Sequence, residues 1–415
     1  MPPNLTLRVC AGAKRLRAPL ELAASQSFLL LLLASATCRC AIASENTARN
    51  SVRFRPSATV GIYHWGGRHA NGVASGIRDL LDLNAGIVRI SLSARMDIDY
   101  NRGTSCIAGF TLASALDDPD LRNALADHRL KVAMITAYDG ASFADCVTPS
   151  YLSLGFYSPA NTASVVNEYA DFVHRLYVLF ENTGKKFILS NWEGDNALYC
   201  GQAASYARSE EFRAACLSNY SLAYDGNRSP HDSVEGMVLW FQARHRGVTL
   251  GKERARIEGR TGIEVLVAPE FSAVHMLRDQ GFASVLSDVI PRVPFDCISY
   301  SCYESLAHSE PDSALTADLD WIRRITGSDR IILGELGFSR SALGHRLIPT
   351  TRAATQAAIR WGVAYVIQWN LYDQDRAVDF GLFDLDGNLT ELGAHYRQVF
   401  SLQDRVPPSR LASRE

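Results

Sequence analysis

The chain has 415 residues, with 42 lysines and arginines against 44 aspartates and glutamates, so its net charge is only −2. No basic stripe runs along any segment, which argues against a nucleic-acid partner, because phosphate binding needs clustered Lys and Arg. Without a leader, about 370 residues remain, enough for one large α/β barrel or two ordinary domains.

The N-terminal segment has the pattern of a secretory signal peptide. Basic residues between Arg8 and Arg17 precede an apolar run from Phe28 to Ala36, which is too short to span a bilayer of about 30 Å. Ala43 completes a small-x-small site, so cleavage is predicted before Ser44. We therefore expect a secreted or periplasmic protein without stable membrane insertion after cleavage. An uncut anchor or a lipidated Cys38 are the alternatives.

The rest of the chain is divided into a lead-in over 44–55, a catalytic barrel over 56–402 and a flexible tail over 403–415. The predicted strands are Ala58–Tyr63, Gly86–Leu92, Lys131–Thr136, Lys186–Ser190, Ile263–Ala268, Phe295–Tyr300, Arg330–Leu333 and Ala364–Trp369. The main helical stretches between them are Ala160–Glu181, Asp232–Gly247, Thr316–Ile325 and Thr351–Trp361.

Several of these strands are continuously apolar, as expected for parallel strands covered on both faces. Eight strand–helix units predict the α/β class and a (β/α)8 TIM barrel, a single domain with extended loops on its C-terminal face. A doubly wound sheet would also alternate strands and helices, but no GxGxxG motif follows the first strand. The long irregular stretches Ser93–Phe110, Ala137–Pro159 and Asn191–Pro230 all follow strands.

Six cysteines follow the leader, and an even number in an oxidising compartment suggests disulfide bonds. Neighbouring loops on one barrel face favour the pairs Cys106–Cys146 and Cys200–Cys216, although fifteen pairings are possible. Cys297 lies in an apolar strand and is alternatively a buried thiol. No CxxC or His-x3-His spacing is present, so we predict neither a metal site nor a cofactor.

Two glutamates stand directly beyond apolar strands. Glu193 follows the fourth predicted strand and Glu335 follows the seventh, and in a barrel both positions open onto the same face. Glycoside hydrolysis needs two carboxyl groups that flank the scissile bond. The alternative is that each glutamate is an ordinary strand-end residue. Glu270 follows the fifth strand, but Pro269 before it favours a helix start there.

These positions resemble the clan A glycoside hydrolases, which are retaining (β/α)8 enzymes. The resemblance implies that Glu193 is the acid/base and Glu335 the nucleophile. It also implies that Arg89 on the second strand neighbours the nucleophile, and that Trp369 at the end of the eighth strand forms the floor of the sugar site. The sixth strand ends in Tyr300 and Tyr303, one of which is expected to contact the nucleophile.

One position departs from this family's pattern, which has Asn immediately before the acid/base. Trp192 stands there, and Asn191 lies one residue earlier. On an extended segment, a shift of one residue turns the amide to the opposite side, although a bulge can restore it. Either another group contacts the sugar 2-hydroxyl, or the site is atypical, or activity is lost.

The resemblance implies a secreted hydrolase of a β-linked oligo- or polysaccharide. Arg89 and a tyrosine would keep Glu335 ionised, and burial would keep Glu193 protonated. Trp65, Trp192, Tyr303 and Trp369 are candidate sugar platforms, and Asp139 is either a substrate ligand or a loop cap. The alternative function is an inactive barrel that binds carbohydrate.

Overall fold

The computed structural model describes residues 60–66, 72–143, 146, 149–223, 230–375 and 378–401. The predicted signal peptide over 1–43, the lead-in over 44–55 and the tail over 403–415 lie outside the described residues. So do the first two residues of the first predicted strand.

Within the described residues, nine parallel strand segments form one sheet in the order β5-β4-β3-β2-β1-β9-β8-β7-β6. They are β1 (Val60–Tyr63), β2 (Ile87–Leu92), β3 (Val132–Ala137), β4 (Lys186–Ser190), β5 (Glu264–Ala268), β6 (Glu270–Phe271), β7 (Ile298–Ser301), β8 (Ile331–Leu336) and β9 (Tyr365–Trp369). Only Pro269 separates β5 from β6, so the two segments share the fifth of eight barrel positions. The predicted (β/α)8 barrel is confirmed.

Pro269 interrupts the fifth position because proline has no N–H to donate to a neighbouring strand. Beyond it, the chain pairs with β7, with Glu270 opposite Ser299 and Phe271 opposite Tyr300. The Pro269 carbonyl still accepts a hydrogen bond from the Ser299 N–H at 2.9 Å. The expected helix start at Glu270 is therefore wrong, because pairing with β7 keeps this residue in a strand.

The helices lie between and around the strands. They are α1 (Gly72–Asp82), α2 (Met96–Asp99), α3 (Leu112–Ala115), α4 (Pro119–Ala126), α5 (Pro159–Phe180), α6 (Gly194–Leu198), α7 (Ala203–Arg208), α8 (Glu210–Ala223), α9 (Pro230–Ile257), α10 (Val274–Gln280), α11 (Tyr303–Leu306), α12 (Pro311–Thr326), α13 (Arg340–Leu343), α14 (Leu347–Trp361) and α15 (Glu391–Ser401). Short 3-10 turns and one π turn add to these.

Local sequence signals set the starts of two of these helices. The Ser158 side chain accepts a hydrogen bond from the Asn161 N–H, and Pro159 occupies the first turn of α5. Asp118 caps α4 in the same way, with Pro119 following it. An oxygen-bearing cap followed by proline is a strong helix-start pattern, since it satisfies free N–H groups and presets φ.

The hydrophobic residues form two buried clusters, one inside the barrel and one between the strands and helices. The inner cluster includes Ile87, Met134, Ile188, Ile332 and Ile367. Residues next to these along each strand, such as Val88 and Leu189, belong to the outer cluster. This alternation follows from the two-residue period of a strand. Because apolar side chains fill the barrel, polar chemistry is confined to its C-terminal end.

Both expected disulfide bonds are present, Cys106–Cys146 and Cys200–Cys216, with Cα atoms 6.1 and 5.8 Å apart. The first joins the loops that follow β2 and β3. The second joins the turn before α7 to a residue within α8. Cys297 is a buried free thiol, as is Cys302. Within the part of the chain that the structure describes, no helix is long and apolar enough to cross a membrane.

Candidate active site

Glu193 and Glu335 both lie at the C-terminal end of the barrel and are nearly buried, with exposed fractions of 5% and 4%. Glu335 lies within β8, at the seventh barrel position. Glu193 follows β4 and immediately precedes α6. The two carboxyl groups are close enough that the charge of Glu335 raises the pKa of Glu193. The structure therefore brings the predicted pair together.

Glu335 is held between Arg89 and a tyrosine. The Arg89 Nη1 atom lies 3.4 Å from Glu335 Oε1, and the Tyr303 hydroxyl donates to Glu335 Oε2 at 3.1 Å. Tyr300, the other expected partner, points away, because its hydroxyl hydrogen-bonds Ser305 and Asp318 at 2.8 Å. Tyr300 belongs to the outer cluster on the helix side of the sheet. Of the two tyrosines, only Tyr303 contacts Glu335.

Arg89 is fixed by a dense set of contacts. It forms a two-pronged ion pair with Glu270, at 2.7 and 2.8 Å. It also donates to the Gly334 carbonyl at 2.9 Å and to the Thr136 hydroxyl at 3.0 and 3.1 Å. Its guanidinium group lies 4.3 Å from the ring centroid of Tyr63. These contacts hold the guanidinium group beside the Glu335 carboxylate.

Glu270 is the residue at this site that sequence reasoning misplaced. It is fully buried, and besides Arg89 it accepts a hydrogen bond from the Ser299 hydroxyl at 2.5 Å. A side chain on Gly334 would collide with the carboxylate of Glu270 and with Ser299, so β8 must carry glycine there. The signal was present in the sequence: Glu270 is a carboxylate beyond an apolar strand, as Glu193 and Glu335 are.

The Asn191 amide faces the main chain of Glu270. Asn191 Oδ1 accepts from the Glu270 N–H at 2.8 Å, and Asn191 Nδ2 donates to the Glu270 carbonyl at 2.9 Å. A further bond joins Nδ2 to the Trp192 carbonyl, and only 2% of Asn191 is exposed. This amide ties the end of β4 to β6, and both of its polar atoms are engaged by main-chain groups.

The Glu193 carboxyl has one hydrogen-bond donor among the described residues, the Asn196 side-chain amide, which donates to Oε2. Glu304, at the start of α11, is a further carboxylate whose charge reaches Glu193. The Oε2 atom of Glu304 accepts from the Ala273 N–H at 3.2 Å. Sequence reasoning assigned no role to Asn196 or Glu304.

The surroundings of Glu193 and Glu335 act differently on the pKa values of the two carboxyl groups. Burial raises the pKa of Glu335 to about 7, against the opposing effects of the Arg89 charge and the Tyr303 hydrogen bond. Burial raises the pKa of Glu193 well above its ordinary value, and the charge of Glu335 raises it further. Both carboxyl groups are thus harder to ionise than usual, and in the described part of the chain only Glu335 has a cation and a phenol hydroxyl that favour its ionised form.

Several aromatic side chains surround this centre. Trp369 makes edge-on contacts with Tyr303 and Phe380, at centroid distances of 6.3 and 5.0 Å. Trp65 packs against the inner cluster. The Asn370 side chain donates to the Trp65 carbonyl at 2.9 Å and accepts from the Trp65 N–H at 3.1 Å. Trp192 is half-buried against the outer cluster instead. Trp65, Tyr303 and Trp369 thus lie together on the barrel side.

Asp139 is fully buried and does not face the site. One of its oxygens accepts from the Ser142 N–H at 2.8 Å, and the other accepts from the Trp240 indole N–H at 3.0 Å. Both oxygens are therefore committed to the protein. Of the two expectations for Asp139, the geometry matches the loop cap rather than the substrate ligand.

No protein-family model matches this chain, and no curated protein matches it. Solved structures do resemble it. A β-glucosidase, 1317, is 14% identical with a TM-score of 0.51, over 81% of this chain and 90% of that one. A GH5_18 protein from Streptomyces cattleya, in complex with Manβ1-4GlcNAc, is 12% identical with a TM-score of 0.51, over 86% and 83%.

A third structure, the β-glycosidase BGL167, is 12% identical with a TM-score of 0.52, over 87% of this chain and 100% of that one. At such low identity, the likeness concerns the fold alone. The fold is thus the α/β barrel that these β-glycosidases have, spread over most of the chain.

Proposed function

We propose that this protein is a glycoside hydrolase that cleaves O-glycosidic bonds of a β-linked oligo- or polysaccharide. The observation that carries the proposal is the pair of buried carboxyl groups at barrel positions four and seven, with unlike surroundings. Glu335 lies beside a cation and a phenol hydroxyl, whereas the pKa of Glu193 is raised well above the ordinary value. Two carboxyl groups of separated acidity are the machinery of glycoside hydrolysis.

In the proposed retaining mechanism, Glu335 attacks the anomeric carbon while Glu193 gives its proton to the leaving oxygen. The glycosidic C–O bond breaks, and a covalent glycosyl-enzyme forms on Glu335. Ionised Glu193 then takes a proton from water, whose oxygen displaces Glu335 from the anomeric carbon. The product keeps the starting configuration, and both carboxyl groups return to their initial states.

The surroundings of Glu335 support its role as the nucleophile. Among the residues that the structure describes, no group hydrogen-bonds Glu335 Oε1, so this oxygen keeps its lone pairs for attack. Its other oxygen is fixed by Tyr303. Trp65 and Tyr303 are half-buried beside the inner cluster and offer aromatic surface on which the apolar side of a pyranose ring can pack. Trp369, the expected floor of the sugar site, is only 3% exposed and packs edge-on against Tyr303.

The test is hydrolysis of p-nitrophenyl β-glycosides and β-linked oligosaccharides by the wild type, Glu335→Gln and Glu193→Ala. We expect Glu335→Gln to lose at least about 10³-fold in kcat. We expect azide to restore turnover of Glu193→Ala with formation of a β-glycosyl azide. Glu264→Gln, at the opposite end of the barrel, is the matched control. A first-formed product of inverted anomeric configuration, seen by NMR, would exclude the retaining mechanism.

The second candidate function is an inactive barrel that binds carbohydrate. The observation that favours it is the Asn191 amide, which is bonded to the main chain of Glu270 and not free to bind a sugar hydroxyl. The same panel separates the two functions. Glycan binding by the wild type without turnover of any substrate would support the inactive barrel.

We also propose that the protein is exported through its N-terminal signal peptide. Two disulfide bonds support this location, because such bonds persist in oxidising compartments. Expression of the full chain in a secreting host, followed by mass spectrometry, should yield a mature protein that begins at Ser44. Retention of residues 1–43 on membranes would instead indicate an uncut anchor.

A further inference from the structure

Asn196 is a buried side chain with no role in the mechanism above. It lies in α6, three residues after Glu193, and is 6% exposed. Its main-chain carbonyl accepts from the Gly201 N–H at 2.7 Å and from the Tyr199 N–H at 3.2 Å. Its side-chain Oδ1 accepts from the Ala203 N–H at 2.8 Å. The residue is therefore held on two sides by the segment that follows α6.

These contacts fix which way the amide points. A backbone N–H can only donate, so the atom that faces Ala203 must be the amide oxygen. The amide nitrogen is then the atom that faces Glu193 Oε2, as observed. A side-chain NH2 group can only donate, so Glu193 Oε2 must accept.

We infer that Asn196 is a positioning residue that assigns the acidic proton of Glu193 to Oε1, an inference that rests on the proposed acid/base role of Glu193. With Oε2 engaged as an acceptor, a protonated Glu193 favours its proton on Oε1, because a carboxyl C=O oxygen is a stronger acceptor than a hydroxyl oxygen. The same oxygen then receives the proton from water when Glu193 acts as the base. Asn196 thereby selects the oxygen through which protons enter and leave.

The surrounding segment is built to keep this amide in place. Cys200, between the two main-chain contacts of Asn196, is cross-linked to Cys216. The neighbouring Asp195 accepts from the N–H groups of Ser272 and Val285, at 3.0 and 2.8 Å. Helix α6 is therefore tied to the chain after β6 and to the disulfide segment, and a turn of the Asn196 amide would break its bond with the Ala203 N–H.

The decisive variant is Asn196→Asp, which has nearly the same shape. One of its carboxylate oxygens can still accept from Ala203, so the local fold is kept. The other oxygen can only accept, and it draws the Glu193 proton onto Oε2, away from the leaving group. Asn196→Ala removes the donor without offering an acceptor. Gln202→Ala is the matched control, because Gln202 contacts Ser205 in the same segment and not Glu193.

The measurement is kcat/KM for aryl β-glycosides of graded leaving-group pKa. We expect Asn196→Asp to lose about tenfold or more on poor leaving groups, which need protonation, and little on dinitrophenyl glycosides. We also expect the alkaline limb of its pH profile to move to higher pH, since the added carboxylate raises the pKa of Glu193. Asn196→Ala should show a smaller loss, and Gln202→Ala should follow the wild type.

Equal losses on good and poor leaving groups, or an unmoved alkaline limb, would overturn the assignment and leave Asn196 a packing residue. A titration of ¹³C-labelled glutamate carboxyl groups by NMR keeps the test independent of turnover, with Glu193→Gln identifying the signal. If the wild type hydrolyses no glycoside, the proposed function fails. Even then, an unchanged Glu193 titration in Asn196→Asp would refute the role of Asn196.

Discussion

Tyr303 is the hydrogen-bond donor that favours the ionised form of Glu335. We predict that Tyr303→Phe raises the pKa of Glu335 above its value of about 7. Because Glu335 must be ionised to attack, the acid limb of kcat/KM should move to higher pH. The measurement is the pH profile on an activated aryl glycoside. Tyr300→Phe is the control, since that hydroxyl contacts Asp318 instead, and its acid limb should stay in place.

Glu270 balances the buried charge of Arg89. We predict that Glu270→Gln lowers the free energy of unfolding by about 3 to 5 kcal/mol, because one member of a buried ion pair is left without its partner. The negative charge of Glu270 also raises the pKa of Glu335, so the variant's acid limb should move to lower pH. Denaturant unfolding and a pH profile measure the two effects.

The control for Glu270→Gln is Glu264→Gln, which removes a half-exposed ion pair with Lys186 worth at most about 1 kcal/mol. Equal stability losses in the two variants would contradict the buried-pair interpretation.

Glu193 and Glu335 could be singled out in the sequence because each stands beyond an apolar strand, whereas Arg89 was expected beside Glu335 only from the resemblance to clan A enzymes. It could not decide which way neighbouring side chains point. Tyr300 faces the helices and Asp139 is enclosed, and both directions follow from strand register and loop course, which depend on contacts distant in the chain. Asn196 was missed for the same reason, since its role depends on the segment that folds back over it.

Among the structural elements, the strands were predictable because they are apolar runs bounded by polar turns. Predicted Lys186–Ser190 has the observed bounds of β4, and the β3 prediction is offset by one residue at each end. The break at Pro269 was misread, because a proline followed by an acidic residue also begins many helices. Only pairing with β7, about thirty residues later in the chain, decides between the two.

The disulfide bonds stabilise two loops on the C-terminal face. They close segments of 16 and 40 residues, and such loops are expected to contribute about 3 and about 4 kcal/mol. We predict that the double variant Cys200→Ser, Cys216→Ser loses about 3 kcal/mol in denaturant unfolding. The matched variant Cys106→Ser, Cys146→Ser should lose slightly more. An unchanged midpoint in both would show that neither bond constrains the unfolded chain.

For the whole molecule, buried acids make the stability depend on pH. Burial raises the pKa values of Glu168, Asp195 and Glu335 to about 7, above the ordinary values of 4.5 for Glu and 3.8 for Asp. The folded state therefore holds protons that the unfolded chain has released. The stability from these groups is complete below about pH 4 and is lost as the pH rises to about 7.

We therefore predict that the unfolding temperature falls between pH 5 and pH 8. Glu335→Gln removes one of the titrating groups, so the unfolding temperature of this variant should fall less steeply with pH. The variant should also be more stable than the wild type at pH 8, as active-site substitutions often are. Calorimetry at matched ionic strength measures both. An unfolding temperature that rises over this range would contradict the prediction.

The ion pair between Arg89 and Glu270 also sets the electrostatic sign of the barrel mouth. Its two charges cancel, so the formal charge of the Arg89–Glu270–Glu335 group is that of the Glu335 carboxylate alone, −1 once it is ionised. A sugar ring that passes through an oxocarbenium-like state develops positive charge at its anomeric carbon. With Arg89 unpaired, the group would be neutral. Glu270, the second buried carboxylate beside Arg89, gives the group its net negative charge. That charge stabilises the positive charge that develops on the sugar.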